Sequence, residues 1–228
     1  MDKSVRNGKW RLNWGTMVEY REYDASYEEE VLKVFTSAFF KYPLFYTVFQ
    51  GVVKGEKNIN ELYELLIKGI FKATIRKDEC YIGFLNGRVA SIVIIERPTS
   101  KPIGFWDYAV SGFPKVLFKL GIIKIMKYLT IADDTEIVVK RIKEPRWHLY
   151  FLAVDPAHQH EGIGSDAIQN FLIPLVKKNG GKLLTVTTNA KKNVKFYLDN
   201  GFSLVEEEKL SYYGNTIGNW TFRMDLND

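Results

Sequence analysis

The clearest hydrophobic pattern in the chain is a mostly apolar run over Trp147–Val154, interrupted by His148. Its aromatic, aliphatic and β-branched residues favour a buried strand, and Asp155-Pro156 ends that strand because proline has no N–H to donate. After a polar loop that carries Gly162 and Gly164, apolar residues recur at helical spacing, at Ile168, Phe171, Leu172 and Leu175. The pattern therefore predicts a central strand, a glycine-bearing loop and a helix in direct succession.

Before and after this unit, helical stripes alternate with strand-like segments. Upstream, the pattern predicts an edge strand over 16–23, helices over 27–39 and from Asn58, and strands over 80–85 and 89–96. Asn86-Gly87 between the last two strands is a strong signal for a tight hairpin. Downstream, it predicts a strand over 182–187, a helix over 191–200 and a terminal antiparallel pair over 202–207 and 218–226. This order indicates an α/β fold.

Residues 103–143 form an insert between the hairpin and the central strand. Its middle, residues 113–129, is rich in Phe, Leu and Ile, but lysines interrupt it too often for a membrane span. These lysines are Lys115, Lys119, Lys124 and Lys127. They mark either the solvent face of a packed helix or a basic amphipathic surface for lipid, and we expect the packed helix.

Composition narrows the class of protein. Of 228 residues, 46% are hydrophobic and 26% charged, which suits one globular domain over 1–228 with a polar arm over 1–15 that lacks the apolar region of a secretory signal. The single cysteine, Cys80, excludes an internal disulfide and a cysteine-rich zinc site, and it fits a reducing cytoplasm. The net charge of +5 favours a polyanionic cofactor, and no basic block indicates nucleic acid.

The central unit has the layout of a phosphate-binding site. The first N–H groups of a helix lack intrahelical partners and lie at the positive end of its dipole, and Gly162 and Gly164 would let the backbone approach an anion closely. A lone Gly-x-Gly fits an ordinary strand-to-helix turn at least as well. The chain contains no Gly-x-x-x-x-Gly-Lys-Ser/Thr segment and no third glycine of a dinucleotide fingerprint, which sets those two nucleotide sites aside.

Two spaced motifs lie in this loop and downstream of it. The first is Gln159-x-x-Gly162-x-Gly164, and the second, over 189–202, consists of Asn189, Asn193, Tyr197, Gly201 and Phe202 at intervals of four, four, four and one. They resemble two segments of the GNAT superfamily of N-acetyltransferases, Gln/Arg-x-x-Gly-x-Gly/Ala and Asn-x-x-x-Asn-x-x-x-Tyr-x-x-x-Gly-Phe, in the family's order and separation. The resemblance covers 147–202, which we expect to be an acetyl-CoA-binding core.

The resemblance implies the GNAT acyl-CoA N-acyltransferase fold, a mixed twisted central sheet flanked by helices, with 103–143 as a helical insert before the central strand. It also implies acetyl-CoA as cosubstrate, held by backbone groups along the central strand and around the loop. The implied cofactor-binding residues are Leu152, Ala153, Val154, Gln159, His160, Glu161, Gly162, Ile163, Gly164, Ser165, Asn189, Asn193 and Phe196. Glu161 departs from the family's basic or small residue, so its carboxylate must turn to solvent if a pyrophosphate binds there.

Acetyl transfer to an amine needs an acid for the leaving thiolate and a base for the amine. The resemblance assigns the acid to Tyr197, which shares a helical face with Asn193, although Tyr197 also fits a purely structural core position. His148 is a candidate base because histidine titrates in the right range. Strand alternation places His148 and Tyr150 on one face and Leu149, Phe151 and Ala153 on the other. A lone strand histidine is more often structural than catalytic, so that alternative stays open for His148.

We therefore expect an enzyme that moves an acetyl group from acetyl-CoA to the primary amine of a small molecule by direct attack. Two alternatives stay open, a non-catalytic acyl-CoA-binding or regulatory module and a protein or peptide N-acetyltransferase. His158 and His160 lack metal-ligand spacing and suitable partners, so we expect no metal site. We expect a cytoplasmic monomer or homodimer with no nucleic-acid or membrane partner.

Overall fold

The computed structural model describes residues 18–40, 42–47, 56–212 and 214–226. Within them the strands are β1 (Glu19–Glu22), β2 (Glu79–Leu85), β3 (Arg88–Glu96), β4 (Trp147–Val154), β5 (Leu183–Thr188), β6 (Ser203–Tyr212) and β7 (Asn215–Asp225). The helices are α1 (Glu28–Ala38), α2 (Pro43–Thr47), α3 (Glu56–Thr74), α4 (Phe105–Val110), α5 (Phe113–Leu120), α6 (Ile122–Thr135), α7 (Ile137–Arg141), α8 (Ile163–Asp166), α9 (Ile173–Lys178) and α10 (Lys192–Asp199). A π-helical stretch, Ala167–Leu172, joins α8 to α9.

The strands form one seven-stranded sheet in the order β1-β2-β3-β4-β5-β7-β6. Neighbouring strands are antiparallel except β4 and β5, which are parallel. The predicted central strand is confirmed at its predicted bounds, and it lies fourth of the seven strands. A mixed sheet flanked by helices, with helices inserted between β3 and β4, confirms the predicted fold class.

Local signals in the first half of the chain are also confirmed. The β2–β3 turn has positive φ angles at Asn86 (51°) and Gly87 (76°), as a two-residue hairpin turn of type I′ requires. Asp24 caps the turn before α1, because its carboxylate accepts a hydrogen bond of 2.7 Å from the Ser26 N–H. The predicted arm over 1–15 lies outside the described residues, and the single domain over 1–228 stays a prediction.

The sheet carries a hydrophobic core on each face. On β3, Ile92 and Ile94 face the core formed with α1, α3 and the insert, whereas Val93 and Ile95 face the core formed with the α8–α9 helix and α10. Because both faces are covered, β3 reads as a continuous apolar run rather than an alternating one. The sheet is therefore held between two helical layers.

The insert is a set of packed helices, as expected, but residues 113–129 form two helices rather than one. Gly121, with φ of 81°, separates α5 from α6. Phe113 at the start of α5 packs against α3, where a Cβ at Gly69 would lie only 2.9 Å from its ring. Lys115 and Lys119 are exposed, as predicted for a solvent face, and the Lys124 side chain lies outside the described part. No helix in the described ranges combines the length and apolarity of a membrane span.

Asp107 fastens the insert to the turn that follows α3. Its carboxylate accepts a hydrogen bond of 2.9 Å from the Gly104 N–H and lies 3.4 Å from both Arg76 Nε and Lys77 Nζ. The Gly104 N–H and these two cations hold the pKa of Asp107 below its usual range. The first helix of the insert is therefore fixed by a charged side chain as well as by apolar packing.

One prediction about β4 is wrong because the strand carries a β-bulge. Ile94 pairs with Phe151 and Ile95 pairs with Leu149, so Tyr150 is an extra residue opposite β3. Leu149 therefore packs on one face, and Phe151 and Ala153 pack on the other face together with Tyr150. The predicted sharing of one face by Leu149, Phe151 and Ala153 fails at the bulge, although His148 and Tyr150 do lie together, with ring centroids 6.0 Å apart.

Candidate active site

The two parallel strands at the centre of the sheet separate part of the way along their length. Their pairing covers Trp147 with Leu184, His148 with Thr185 and Leu149 with Val186. Beyond Leu149, β4 continues to Val154 without a partner in β5. The β5 side of this stretch therefore offers unpaired backbone groups to a ligand. We name the space between the two strands the β4–β5 cleft.

A small cavity of about 80 Å³ lies in the β4–β5 cleft. Tyr150, Phe151 and Leu152 line it from β4, and Asn193 and Tyr197 line it from α10. The sequence prediction that Asn193 and Tyr197 share one helical face is thus confirmed in position. The cavity has room for a group of the size of an acetyl.

Tyr42 closes the β5 side of this cavity. Its hydroxyl accepts a hydrogen bond of 2.7 Å from the Asn189 N–H and lies 3.1 Å from the Thr188 hydroxyl oxygen. The Asn193 side-chain amide donates to the same Thr188 oxygen at 3.2 Å. These contacts fix the end of β5 and the start of α10 relative to each other. Nothing in the local sequence around Tyr42 signalled this role, since its partners lie almost 150 positions away.

The loop after β4 has the backbone conformation that an anion-binding turn needs. Gly162 has φ of 85°, a conformation that other residues rarely adopt, and a Cβ there would meet open space. It directly precedes the helix that runs from Ile163 through the π-helical stretch to Lys178, so the first amides of that helix face the loop. Gln159 ties the loop to β4, because its side-chain amide donates to the Val154 carbonyl at 3.2 Å.

Gly164 serves a different purpose from Gly162. A Cβ at Gly164 would lie 3.1 Å from the Phe196 ring, so the glycine allows α8 to approach α10 closely. Asn200 fastens the same contact, since its side-chain amide donates to the Ser165 hydroxyl at 3.1 Å and its carbonyl accepts from Gln169 at 2.7 Å. Gly162 is therefore required for its backbone conformation, and Gly164 is required for close packing.

Other predicted loop residues take different positions. The Glu161 side chain is exposed, and its carboxylate lies 3.1 Å from His158 Nδ1. It therefore turns to solvent, as is required for a pyrophosphate to bind at this loop. His160 is exposed, with φ of 68°, and the Ile163 side chain is buried. Asn189 donates its amide to the Gly218 carbonyl and to Asn219 Oδ1, both at 3.1 Å, so its side chain is committed to β7.

A second, larger cavity of about 830 Å³ lies between the sheet and the insert. It shares Tyr108, Ala132, Glu136 and Tyr150 with the small cavity, so the two cavities meet at these residues. The bulge at Tyr150 turns that side chain toward the junction. We name the larger space the insert cavity.

Three carboxyl groups lie together at the inner end of the insert cavity. They belong to Asp78, Glu96 and Glu136, and none of them forms an ion pair with lysine or arginine in the part of the chain that the structure describes. Burial first, and then the nearby Glu96 charge, raises the pKa of Asp78 and of Glu136 to about 7, and burial also raises the pKa of Glu96. Lys140 and Arg146 line the same cavity and act against the raised pKa of Glu96 and of Glu136, but they do not cancel it. The cluster therefore favours either protons or a cationic ligand.

The position of Glu136 is set by residues from distant parts of the chain. Asn219 of β7, fully buried, donates a hydrogen bond of 3.1 Å to the carbonyl of the preceding residue, Thr135. The Tyr212 hydroxyl donates to the Asp134 carboxylate. The end of α6 is thus held against β6 and β7, and Glu136 is held over the start of the cleft. Periodicity gave no sign of this, because Glu136 lies on a helix end inside the insert.

His148 is buried behind Glu136 and lines neither cavity. Its Nδ1 lies 2.9 Å from the Thr185 oxygen, and the Thr185 hydroxyl itself donates to the Trp147 carbonyl at 3.2 Å. We therefore assign the neutral tautomer with hydrogen on Nδ1, which leaves Nε2 as an acceptor 3.4 Å from the Glu136 carboxylate. Burial, and then the Arg146 charge, lowers the pKa of His148 to about 3, so the ring stays neutral at neutral pH.

Tyr197 lines the small cavity together with Glu136, but it does not line the insert cavity. Its ring packs among Phe196, Phe202 and Phe222, and it borders the small cavity. Burial, reinforced by the neighbouring Tyr42, raises the pKa of Tyr197 well above its usual range. The phenol therefore stays protonated at neutral pH and is able to donate a proton. The core packing that the sequence left as one alternative is confirmed, and the acid role of Tyr197 stays a prediction.

Two comparisons of the sequence bear on this site. A sequence profile described as an acetyltransferase (GNAT) domain matches residues 124–204, which run from α6 to the start of β6. A comparison with curated protein sequences gives no match. The matched region includes the glycine loop, Glu136 and Tyr197.

Solved structures with the same fold cover nearly all of the chain. A structure described as histone acetyltransferase HPA2 and related acetyltransferase, from Corynebacterium glutamicum, is 13% identical with a TM-score of 0.59, covering 90% of this chain and 95% of that one. A polyamine N-acetyltransferase from Drosophila melanogaster and an agmatine N-acetyltransferase are each 16% identical, with TM-scores of 0.54 and 0.56 and coverage of 91% of this chain and 99% of theirs. At such identities these structures establish the fold.

Proposed function

We propose that the chain is a member of the GNAT superfamily and that it transfers an acetyl group from acetyl-CoA to the primary amine of a small molecule. The observation that carries the proposal is the meeting of the β4–β5 cleft with an acidic cavity at Glu136 and Tyr150. A cleft with free backbone groups suits the coenzyme arm, and carboxyl groups suit an ammonium ion. The two substrates would meet where the cavities join.

The residues around the cleft fit acetyl-CoA. Within Leu152, Ala153 and Val154, the backbone groups that point to the β5 side would bind the amide groups of the pantetheine arm, and the amides from Gly162 to Ser165 would bind the pyrophosphate at the start of a helix. Bound acetyl-CoA supplies the acetyl group in activated form, as a thioester. The acetyl end would occupy the small cavity, where a β4 N–H beyond Leu149 would polarise its carbonyl.

Glu136 is our candidate for the base that accepts the proton of the amine. It lies at the junction of the two cavities, and a pKa of about 7 places it near the pH at which a base both ionises and accepts a proton efficiently. His148 then acts as a positioning residue. Its bare Nε2 faces Glu136 and accepts a hydrogen bond once Glu136 carries the proton. The geometry thus favours Glu136 over His148 for the proton transfer itself.

Tyr197 is our candidate for the acid that protonates the departing thiolate. It lines the small cavity, as Glu136 does, and its phenol is protonated at neutral pH. Asn193, one helical turn earlier, holds Thr188 at the end of β5 and so orients this side of the cavity. Base and acid would therefore border the same space as the acetyl group.

An amine acceptor agrees with the activities named for the agmatine and polyamine N-acetyltransferases of the same fold. The acidic cluster supports the same class of acceptor independently, because three neighbouring carboxyl groups, none in an ion pair within the described residues, would stabilise a bound ammonium ion. A protein acceptor would require an open groove, whereas the insert cavity lies between the sheet and helices α4–α6.

Thermal unfolding with and without acetyl-CoA tests the cofactor. A ligand at about a hundred times its Kd adds about 2.7 kcal/mol to the free energy of unfolding, which raises Tm by about 5–10 °C in a protein of this size. We expect this rise with acetyl-CoA and none with ATP or NAD. Equal rises with all three nucleotides, or none, would contradict the proposal. Binding of acetyl-CoA without acetylation of any amine would instead support a non-catalytic acyl-CoA-binding module.

A further inference from the structure

The insert cavity changes character along its length. Its inner end carries Asp78, Glu96 and Glu136, and its outer wall is built from apolar residues of α5 and α6. Those lining residues are Phe113, Leu117, Ile122, Ile125, Met126 and Leu129. A ligand that fills this space therefore meets carboxyl groups at one end and hydrocarbon along the rest of its length.

The acidic residues farther out do not offer a second cation site. Asp133 forms an ion pair with Lys140, and Asp134 accepts a hydrogen bond from the Tyr212 hydroxyl. Among the carboxyl groups that line the cavity, those at the inner end are held neither in an ion pair like Asp133 nor by the Tyr212 hydroxyl like Asp134. Lys101, Lys140 and Arg146 also line the cavity, so its charges fit one cationic group placed beside Glu136 rather than cations at both ends.

The apolar wall continues to the surface. Leu117, Ile122 and Met126 line the cavity and yet are 38%, 58% and 54% exposed, so they form its mouth. Their chain neighbours Phe118 and Ile123 are exposed at 91% and 67%. Large apolar side chains at the mouth stabilise the apolar end of a ligand by removing its surface from water. A charged end would gain little binding free energy there.

We propose that the acceptor is an amphiphilic monoamine, with its primary ammonium group at Asp78, Glu96 and Glu136 and an alkyl or aryl body along α5 and α6. This inference rests on the proposed function, since it specifies the acceptor of that reaction. It distinguishes the chain from polyamine acetylation, for which a second cation would lie against the apolar wall. The volume of about 830 Å³ accommodates a body well beyond the size of butylamine.

A pair of amines of equal length tests the inference directly. Octylamine and 1,8-diaminooctane share a chain of eight carbons, and only the diamine carries a second ammonium group. We expect kcat/KM for octylamine to exceed that for 1,8-diaminooctane by at least about tenfold, and to rise up to about fourfold per methylene from butylamine to octylamine. A preference for 1,8-diaminooctane or spermidine, or rates independent of chain length, would overturn the inference and leave the proposed function standing.

Two adjacent isoleucines supply a matched pair of variants. Ile122 lines the cavity and Ile123 does not, and both are more than half exposed, so neither substitution removes a core side chain. We expect Ile122→Asn to lower kcat/KM for octylamine several-fold more than for butylamine, and Ile123→Asn to leave the octylamine to butylamine ratio unchanged. An equal effect of both substitutions would contradict the placement of the alkyl chain.

Amine binding separates this inference from the reaction itself. Thermal unfolding with octylamine and with 1,8-diaminooctane, in the presence of coenzyme A, measures occupancy without turnover. A larger rise in Tm with octylamine supports the ligand class even if neither amine is acetylated, in which case the proposed function alone fails. A larger rise with the diamine overturns the ligand class.

Discussion

The β4–β5 cleft and the insert cavity are built in different ways. The cleft uses backbone groups from one continuous part of the chain, from Trp147 through the glycine loop to α10. The insert cavity uses side chains from α4, α5, α6, and the ends of β2, β3 and β4. The β4–β5 cleft thus presents backbone groups that any sequence able to form the strand and the glycine turn would supply. The insert cavity instead depends on which side chains the fold brings together.

This difference separates chemistry that is shared within a fold from chemistry that is specific to a chain. The proposed cofactor site is made of backbone amides and should tolerate changes of side chain. Glu161 is one example, because its carboxylate turns away to His158. An acceptor site made of side chains changes with each substitution. The junction at Glu136 and Tyr150 belongs to both regions, so substitutions there test whether they act as one site.

The largest effect is expected for Glu136→Gln. Loss of the base should lower kcat/KM by about 10²–10⁴-fold, with acetyl-CoA affinity unchanged, because the coenzyme arm contacts the other region. The native carboxyl group acts as a base only when ionised, so kcat/KM should rise with pH through about 7. Steady-state rates across pH 5–9 measure both effects.

Asp78→Asn is the matched control for this pH profile. The pKa of Asp78 is also raised to about 7 and the residue lines the same cavity, but it lies away from the junction. We expect Asp78→Asn to weaken amine binding and to keep the rise of kcat/KM with pH. If Glu136→Gln kept that rise and Asp78→Asn lost it, the base would be Asp78.

A smaller effect is expected on the cleft side for Tyr197→Phe. The substitution keeps the ring packing against Phe202 and Phe222 and removes the proton donor. We expect kcat to fall by about tenfold or more, with little change in coenzyme affinity or Tm. Tyr27→Phe, on the far side of the sheet and outside both cavities, controls for loss of a hydroxyl. Equal kcat in Tyr197→Phe and the parent protein would remove the acid role.

Gly164→Ala should have the smallest effect, on stability rather than on chemistry. The added methyl group would lie 3.1 Å from the Phe196 ring, and overpacking of this kind costs about 1 kcal/mol or more. Denaturant unfolding should show this loss, and Phe196→Leu in the same chain should recover part of it. Full stability of Gly164→Ala would mean that the approach of α8 to α10 is not tight in solution.

The sequence predicted the cleft better than the cavity for a physical reason. The bounds of β4, the Asn86-Gly87 turn and the α10 position of Tyr197 follow from periodicity, turn residues and spacing, which are local properties. Two features inside this region escaped prediction. The bulge at Tyr150 arises from the register with β3, and the buried state of His148 arises from its contacts with Thr185 and Glu136.

The insert cavity could not be derived from local pattern. Asp78, Glu96 and Glu136 are separated by 18 and 40 positions and come together only through the sheet order and the packing of α6 against β6. Asn219 and Tyr212 hold Glu136 in place from the last two strands. Lys115 and Lys119 were a usable local signal, since both are exposed on the predicted solvent face.

The central claim is that the cleft and the cavity form one continuous reaction site. A conjugate that joins the sulfur of coenzyme A through an acetyl linker to the nitrogen of octylamine tests this most directly. Its Kd, measured by isothermal titration calorimetry, should be lower than that of coenzyme A by at least about tenfold, because binding of one half places the other at its own site. A Kd equal to that of coenzyme A would show that the two spaces are not connected, and would contradict the account.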